Sequence, residues 1–359
     1  MLVLFPADHF NIKCVDPDFT AEYDAVCQIP NFKPVLFNYD DFISGEPIKI
    51  YPSDYYRSEF AIYRGWMMMP DHYHTFYDFL LNEDIGLINS PLEYNDCHLF
   101  PNVYLEIEQN TPKILSYPCG NDIDWTHVNN AFSKFMVKDY VKSEKGTGFP
   151  AFFTTPVNSS DMEKSIADFI KMRGNLYTGG IVLKEYVELK KYGASTNEYR
   201  GFYLQHKILS ISRNSNQPES CKVIPLDFVE KYSNLPSNYY TVDFAELHDG
   251  SWSIIEVGDG QVSGLSPDQW AFKYYDDMRN ILLEIRNPKD WYDVSDILFS
   301  GTAEQIDAVK CPECGGMLRF SYCDSTRSTE ISCSCTLERG YRAHKVPNFH
   351  IFGRSSSRA

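Results

Sequence analysis

Two strand-like runs that face each other across a tight turn constrain this chain more than any other feature. Thr241–Leu247 (TVDFAEL) and Ser251–Leu265 (SWSIIEVGDGQVSGL) alternate apolar and β-branched residues with others, and Asp249-Gly250 supplies the turn between them. Each run carries a carboxylate, Asp243 on the first and Glu256 on the second. Two carboxylates on paired strands, beside a glycine-rich turn, can hold Mg2+ against a nucleotide polyphosphate.

The length of 359 residues exceeds a single minimal core and predicts two or three domains. A hydrophobic share of 43% is that of a globular protein, and no apolar run approaches membrane-spanning length, so no membrane partner is expected. The opening MLVLFPADHF lacks the basic start of a signal peptide and reads as a first strand, which predicts a cytoplasmic location. A formal net charge of −16 argues against broad binding to DNA or RNA, which needs a cationic surface. The stretch 336–359 departs from this balance, with five Lys/Arg against one Glu. It reads as a solvated tail, with contact to nucleic acid or an acidic partner as the sharper alternative.

Along the first hundred residues strand-like and helix-like patterns alternate, as in an α/β domain. MLVLF, PVLFNYD and GLINSP read as strands, and PDHYHTFYDFLLNEDI as a helix with Tyr73, Phe76, Tyr77 and Leu80 on one face. From Asn121 the pattern changes. FMVKDYVKS reads as a strand ending in the loop SEKGTG. A helix follows with Asp161 as its expected cap, then a strand GGIVLKEYVEL. EYRGFYLQHKILSISR reads as two strands turning at Gln205-His206, and PDQWAFKYYDDMRNILLEI as a helix after the metal hairpin. Helix-flanked antiparallel strands predict an α+β module, with a boundary near Asn287.

Several soft motifs accompany the hairpin. The loop Ser143–Gly148 follows a strand bearing Lys138 and Lys142, and its backbone N–H groups can cradle phosphates, although the GxxxxGK[ST] spacing is absent. In the run Ile181–Leu189, alternation places Lys184, Tyr186 and Glu188 on one side and Glu185 and Val187 on the other. Arg200 and Arg213 lie on adjacent strands, and the planar guanidinium fork suits phosphate oxygens. Taken singly, each is as well explained by ordinary ion pairs.

In their order these pieces resemble the ATP-grasp superfamily over roughly Asn121 to Ile285, and within it the phage and bacterial clade named for two arginines and a lysine. The preceding run YRGWMMMPDHYHTFYDFLLNEDIGLINSPLEY fits the same clade. The resemblance implies an ATP-grasp fold of helix-flanked antiparallel sheets over 121–287, an α/β domain before it over 1–120, and a small module after it over 288–359. It implies that Lys138 and Lys142 contact ATP phosphates, that Lys184 lies near the adenine and α-phosphate, that Glu185 and Val187 offer hinge contacts, and that Glu188 holds the ribose. Arg200 and Arg213 would balance polyphosphate charge, Asp243 and Glu256 would bind Mg2+, and Arg64 in RGWMMMP would face the acceptor or the phosphates. The chain departs from the pattern at one place. Many ATP-grasp enzymes carry Asn two residues after the metal-binding Glu, where this chain has Gly258 followed by Asp259, so either Asp259 supplies the missing oxygen ligand or the site holds metal less tightly, and the number of Mg2+ ions stays open.

Five of the ten cysteines cluster near the end. Cys311-Pro-Glu-Cys314-Gly-Gly resembles one knuckle of a zinc ribbon, and Cys333-Ser-Cys335 offers a second pair, with Cys323, His344 and His350 as substitutes. Four thiolates leave no open position, so the expected Zn2+ is structural. His72 and His74, two apart on a helix, cannot share a face and are not expected to pair on a metal.

The function these readings imply is an ATP- and Mg2+-dependent ligase that activates a carboxylate as an acylphosphate for attack by an amine, with peptides or proteins among its substrates. ATP-dependent RNA or nucleotide end modification on the same scaffold is the alternative enzyme. A non-catalytic ATP-binding partner module is the alternative outside catalysis.

Overall fold

The computed structural model describes residues 1–53, 59–144, 146–284, 288–323, 325–333, 335 and 341–343. Lys145, the expected boundary at Asn287, His344, His350 and most of the basic tail lie outside those residues. Contacts divide the chain into two units, Met1–Pro91 with Trp270–Ala359, and Leu92–Gln269.

The first unit opens with β1 (Leu2–Asp8), β2 (Asn11–Val15), α1 (Thr20–Gln28), β3 (Lys33–Phe37), α2 (Tyr39–Ile43), β4 (Ile50–Tyr51), β5 (Glu59–Tyr63), α3 (Pro70–Asn82) and β6 (Ile85–Leu87). Its sheet runs β4-β3-β1-β5-β6 with β2 paired to β1. Neighbours from β3 to β6 are parallel, while β4 is an antiparallel edge. Six of the seven β1 positions are buried, as a central parallel strand covered on both faces requires. On α3, which starts at Pro70 where the missing N–H costs nothing, Tyr73, Phe76 and Leu80 form the buried stripe. Phe76 stacks on Phe37 at 4.7 Å between centroids.

The second unit begins with α4 (Pro91–His98) and α5 (Phe100–Ile107), followed by β7 (Ile114–Pro118), α6 (Trp125–Ala131), β8 (Lys134–Asp139), β9 (Phe153–Thr154), α7 (Ser159–Arg173) and β10 (Gly180–Glu185). After the short pair β11 (Lys191–Tyr192) and β12 (Ser195–Thr196) come β13 (Glu198–Leu204), β14 (Lys207–Arg213), α8 (Leu226–Glu230), β15 (Tyr239–Glu246) and β16 (Trp252–Asp259). These strands form two antiparallel four-stranded sheets, β7-β10-β8-β9 and β14-β13-β15-β16. The α6 and α7 side chains Trp125, Val128, Met162, Ile166 and Phe169 pack on Val137, Ile181 and Leu183 of the first sheet. Phe100, Val103 and Ile107 of α5 share a core with Val242, Phe244 and Ile254 of the second. The turn between β13 and β14 holds Gln205 and His206 at φ of 46° and 60°, the left-handed pair a two-residue hairpin needs.

Three local expectations are corrected. The cap of α7 is Asn158, whose side chain accepts from the N–H of Ser160 and Asp161, so Asp161 sits in the first turn where its charge suits the helix dipole. Strand β8 ends at Asp139, whose carboxylate accepts from the N–H of Val141 and Lys142 and turns the chain before Lys142. Strand β10 stops at Glu185, so the alternation read through Leu189 does not apply beyond it.

The first unit closes with α9 (Ala271–Leu283), packed against α1, then α10 (Trp291–Ser300), α11 (Ala303–Ala308), β17 (Leu318–Cys323), β18 (Ser328–Cys333) and β19 (Tyr341–Ala343). The last three strands form an antiparallel sheet. Its core joins Leu318, Phe320 and Ile331 to Val294, Ile297 and Leu298 of α10 and includes Cys311 and Cys333. Thr302 and Gln305 form a reciprocal capping box at the start of α11.

Candidate active site

The two carboxylates of the hairpin lie side by side because of a bulge. Asp243 pairs with Glu256, but the next residue, Phe244, pairs with Ile254, which leaves Ile255 as the extra residue. Without the bulge, Ile254 and Glu256 would share a face. With it, Ile254 enters the apolar core beside Phe244 while Glu256 joins Asp243 on the opposite face. Arg200 of β13 is the next member of the same row, paired in register with Asp243. Its Nε and Nη2 each donate to Asp243 at 2.7 Å, and its Nη1 donates to the Gly264 carbonyl at 2.9 Å. The bidentate fork fixes both groups in orientation.

Lysines from the first sheet complete the row. Register places Lys138 opposite Val182 and Lys184 opposite Met136, so both lysines lie on the face away from the α6–α7 core. Lys138 Nζ lies 3.3 Å from Glu256 Oε1, with a side chain only 6% exposed. Lys184 Nζ donates at 2.5 Å to the carbonyl of Ile255, the bulged residue. Both ammonium groups sit over the Phe100 ring, at 5.0 Å for Lys138 and 4.2 Å for Lys184. The ring's negative face draws both cations to one point of α5. Just before it, His98 ends α4, is buried and stacks on Tyr94 at 4.7 Å. Burial above all, then the charges of Lys142 and Lys138 against the opposing pull of Glu256, lowers the His98 pKa to about 3, so the imidazole is neutral.

Lys142 is exposed and follows a clamp built on Asp139. Arg173 donates from Nε to Asp139 at 2.8 Å and from Nη1 to Glu144 at 3.2 Å, tying the end of β8 to the loop that follows. Glu185 accepts weakly from the Lys113 N–H at 3.4 Å. Val187 lies half-buried in the segment after β10, and Glu188 beyond it is exposed, 3.9 Å from Lys134. Arg213 pairs in register with Tyr199, one residue out of phase with Arg200, and its Nε lies 3.2 Å from Asp268. The structure does not place it in the row of Arg200.

Two expectations change more sharply. Asp259 pairs with Tyr240 on the core side of β16, three residues and therefore one face away from Glu256, and its carboxylate accepts from the Gln261 N–H at 2.9 Å. It caps the turn after the strand and does not stand beside Glu256. Gly258 lies on the Glu256 side, where a Cβ would meet Ser263 Oγ and Thr241 Oγ1 at 3.3 Å each; those hydroxyls bond each other at 2.9 Å. Arg64 is 1% exposed within the first unit and donates to Glu22 at 2.9 and 3.0 Å, while Tyr275 Oη donates to the same carboxylate at 2.6 Å. In that geometry Arg64 is part of a buried ion pair.

Residues 124–283 match the family model described as an ATP-grasp domain, family 3 of the clade named for two arginines and a lysine. This region has the ATP-grasp fold. Among solved structures, D-alanyl-alanine synthetase A from Vibrio cholerae is similar at a TM-score of 0.51 and 10% identity, covering 77% of this chain and 92% of that one. The D-alanine-D-alanine ligase from Coxiella burnetii gives 0.51 and 8% over 78% and 94%. A RimK domain ATP-grasp protein from Sphaerobacter thermophilus gives 0.51 and 11% over 79% and 100%. At such identities the likeness is one of fold. No curated protein matches the chain.

The ATP-grasp fold normally uses ATP and Mg2+. The donor set fits both: carboxylate oxygens on Asp243 and Glu256 suit the hard cation, and lysine and arginine donors suit phosphates. Phe100 and His98, which precede the matched residues, carry no sequence signal, because no spacing links a helix junction to strands that follow it. The Asp139–Arg173 clamp escaped the sequence reading as well, although a buried Asp at a strand end is a recurrent turn signal.

The cysteine cluster belongs to the first unit. The sulfurs of Cys311, Cys314, Cys333 and Cys335 all lie within 4.8 Å of one another. Cys311 and Cys335 approach to 3.6 Å, and Cys314 and Cys333 to 3.4 Å. Four thiolates at Zn–S distances of about 2.3 Å around a tetrahedral ion would lie about 3.8 Å apart, so the set is compatible with zinc. A turn from Cys311 to Gly316, with the Gly315 N–H donating to the Cys311 carbonyl at 2.9 Å, makes the knuckle. Cys323 is exposed and bonded to Ser325, away from the four.

Proposed function

We propose that this chain is an ATP- and Mg2+-dependent ligase that joins a carboxylate to an amine through an acylphosphate. The observation that carries the reading is the unbroken row Arg200–Asp243–Glu256–Lys138, two cations flanking two adjacent carboxylates. In this reading Asp243 and Glu256 hold Mg2+, which supplies positive charge to the transferred phosphoryl group. Lys138 and Lys142 contact the phosphates, Lys184 the adenine side, Glu185 and Val187 the hinge edge, and Glu188 the ribose. Arg200 offsets polyphosphate charge.

A carboxylate is a poor acyl donor because its oxygen cannot leave as a dianion. Attack of that oxygen on the γ-phosphorus expels ADP and makes an acylphosphate. Attack of an amine on the acyl carbon then expels phosphate. Nothing in this sequence requires a side-chain nucleophile. The chain's contribution is alignment and charge: Phe100 holds two lysines at fixed positions, and Arg200 keeps Asp243 oriented. Peptide- or protein-borne substrates are part of the proposal, as is a structural Zn2+ on Cys311, Cys314, Cys333 and Cys335.

The Glu256→Gln variant tests it. The amide keeps the size of the side chain and loses the charge that Mg2+ needs, so Mg2+-dependent ATP turnover is expected to vanish while circular dichroism stays native. Unchanged turnover would remove the metal assignment and the ligase reading with it.

A further inference from the structure

His98, at the end of α4, has no role yet in the proposed nucleotide site. It is 5% exposed, and its ring is held by stacking on Tyr94, at 4.7 Å and 30° between planes. Neither ring nitrogen makes a hydrogen bond among the described residues. The α4–α5 junction lies against the chain between Lys138 and Lys142, because the Phe100 N–H donates to the Tyr140 carbonyl at 2.8 Å. Phe100, two residues on, carries Lys138 and Lys184 on its face.

Neither ring nitrogen is among the fully buried polar atoms left without a partner, so the imidazole edge reaches solvent and is open to a ligand. A neutral imidazole carries one N–H and an imidazolium two, so a donor is present in either state. An anion that enters between Lys138 and Lys142 brings acceptors to that donor.

We infer that His98 is a nucleotide-contact residue, its buried imidazole donating to a polyphosphate oxygen of the nucleoside triphosphate that Lys138 and Lys142 also hold. This rests on the reading of the site as an ATP site. His98 would contact the phosphate chain from the α4–α5 junction, beside the lysines that Phe100 carries.

Calorimetric titration with ATP and with AMP tests the inference on the full chain and two variants. His98→Phe keeps an aromatic ring against Tyr94 and loses the donor. His98→Gln keeps a donor and loses the stack. A hydrogen bond to a charged oxygen predicts about ten-fold or greater loss of ATP affinity in His98→Phe, unchanged AMP affinity, and partial recovery in His98→Gln. Wild-type ATP affinity in His98→Phe, or equal losses for ATP and AMP, would overturn it. Nitrogen-15 imidazole spectra of the wild type need no variant to fold well: ATP is expected to shift one histidine ring signal far more than AMP does. No such shift would also overturn the inference. If the wild type binds no ATP at all, the ATP site itself fails; if it binds ATP and His98 is indifferent, only this inference fails.

Discussion

Phe100 is expected to join the stability of the fold to the competence of the site, and Phe100→Leu separates the two contributions. The ring is 1% exposed in the core shared by α5 and the second sheet, and it sits beneath Lys138 at 5.0 Å and Lys184 at 4.2 Å. Complete truncation of a buried Phe costs about 3–5 kcal/mol, and leucine retains most of the volume, so the packing loss is about 1–1.5 kcal/mol. Each cation–π contact to a poorly solvated lysine contributes about 0.5–2 kcal/mol. The expected loss is therefore about 2–5.5 kcal/mol, read as a lowered urea midpoint at unchanged slope. A second consequence separates this from ordinary core damage. With their common anchor gone, Lys138 and Lys184 no longer point to one place, and affinity for ADP is expected to fall about ten-fold. Val103→Ala, a change in the same core away from the lysines, is expected to lower the midpoint and leave ADP affinity intact. Equal ADP affinities in Phe100→Leu and the wild type would refute the anchoring role.

Two further outcomes follow from the geometry. Elemental analysis of protein purified without chelator is expected to give about one zinc per chain, lost in Cys333→Ser together with part of the stability; metal-free wild type would remove the zinc assignment. His98 takes up its proton in the unfolded chain at about 6.5 but in the folded chain only near 3, because burial and the charges of Lys142 and Lys138 outweigh that of Glu256. The stability it contributes is thus complete above about pH 6.5 and is lost as pH falls toward 3. Between pH 7 and 5 the wild type is expected to lose on the order of 1–2 kcal/mol more than His98→Phe, and parallel curves would contradict the burial of a neutral ring.

What the sequence showed of this site was its sheet chemistry, and what it hid was facing. Asp243 and Glu256 were legible because alternation and an Asp-Gly turn announce a hairpin. The bulge at Ile255 was not, since nothing in SWSIIEVGD marks which residue is extra. That one residue decides that Glu256 leaves the core face, and continuous alternation beyond it decides that Asp259 does not accompany it. Arg64 and Arg213 show the same limit: their type suits phosphate, but burial against Glu22 in one case and register with Tyr199 in the other are tertiary facts. The cysteine knuckle was legible because spacing alone brings its first pair together. Phe100 was invisible because Lys138 and Lys184 lie dozens of residues downstream and arrive by sheet packing.

Phosphorus-31 spectroscopy of ATP and Mg2+ incubated with this chain, with and without a panel of carboxylic acids and amines, tests the central claim most directly. The account predicts ADP and inorganic phosphate, formed only when a carboxylate is present and not in Glu256→Gln. AMP with pyrophosphate, formed with RNA, would contradict it in favour of nucleotidyl transfer, and bound ATP that is never turned over would contradict it in favour of a binding module.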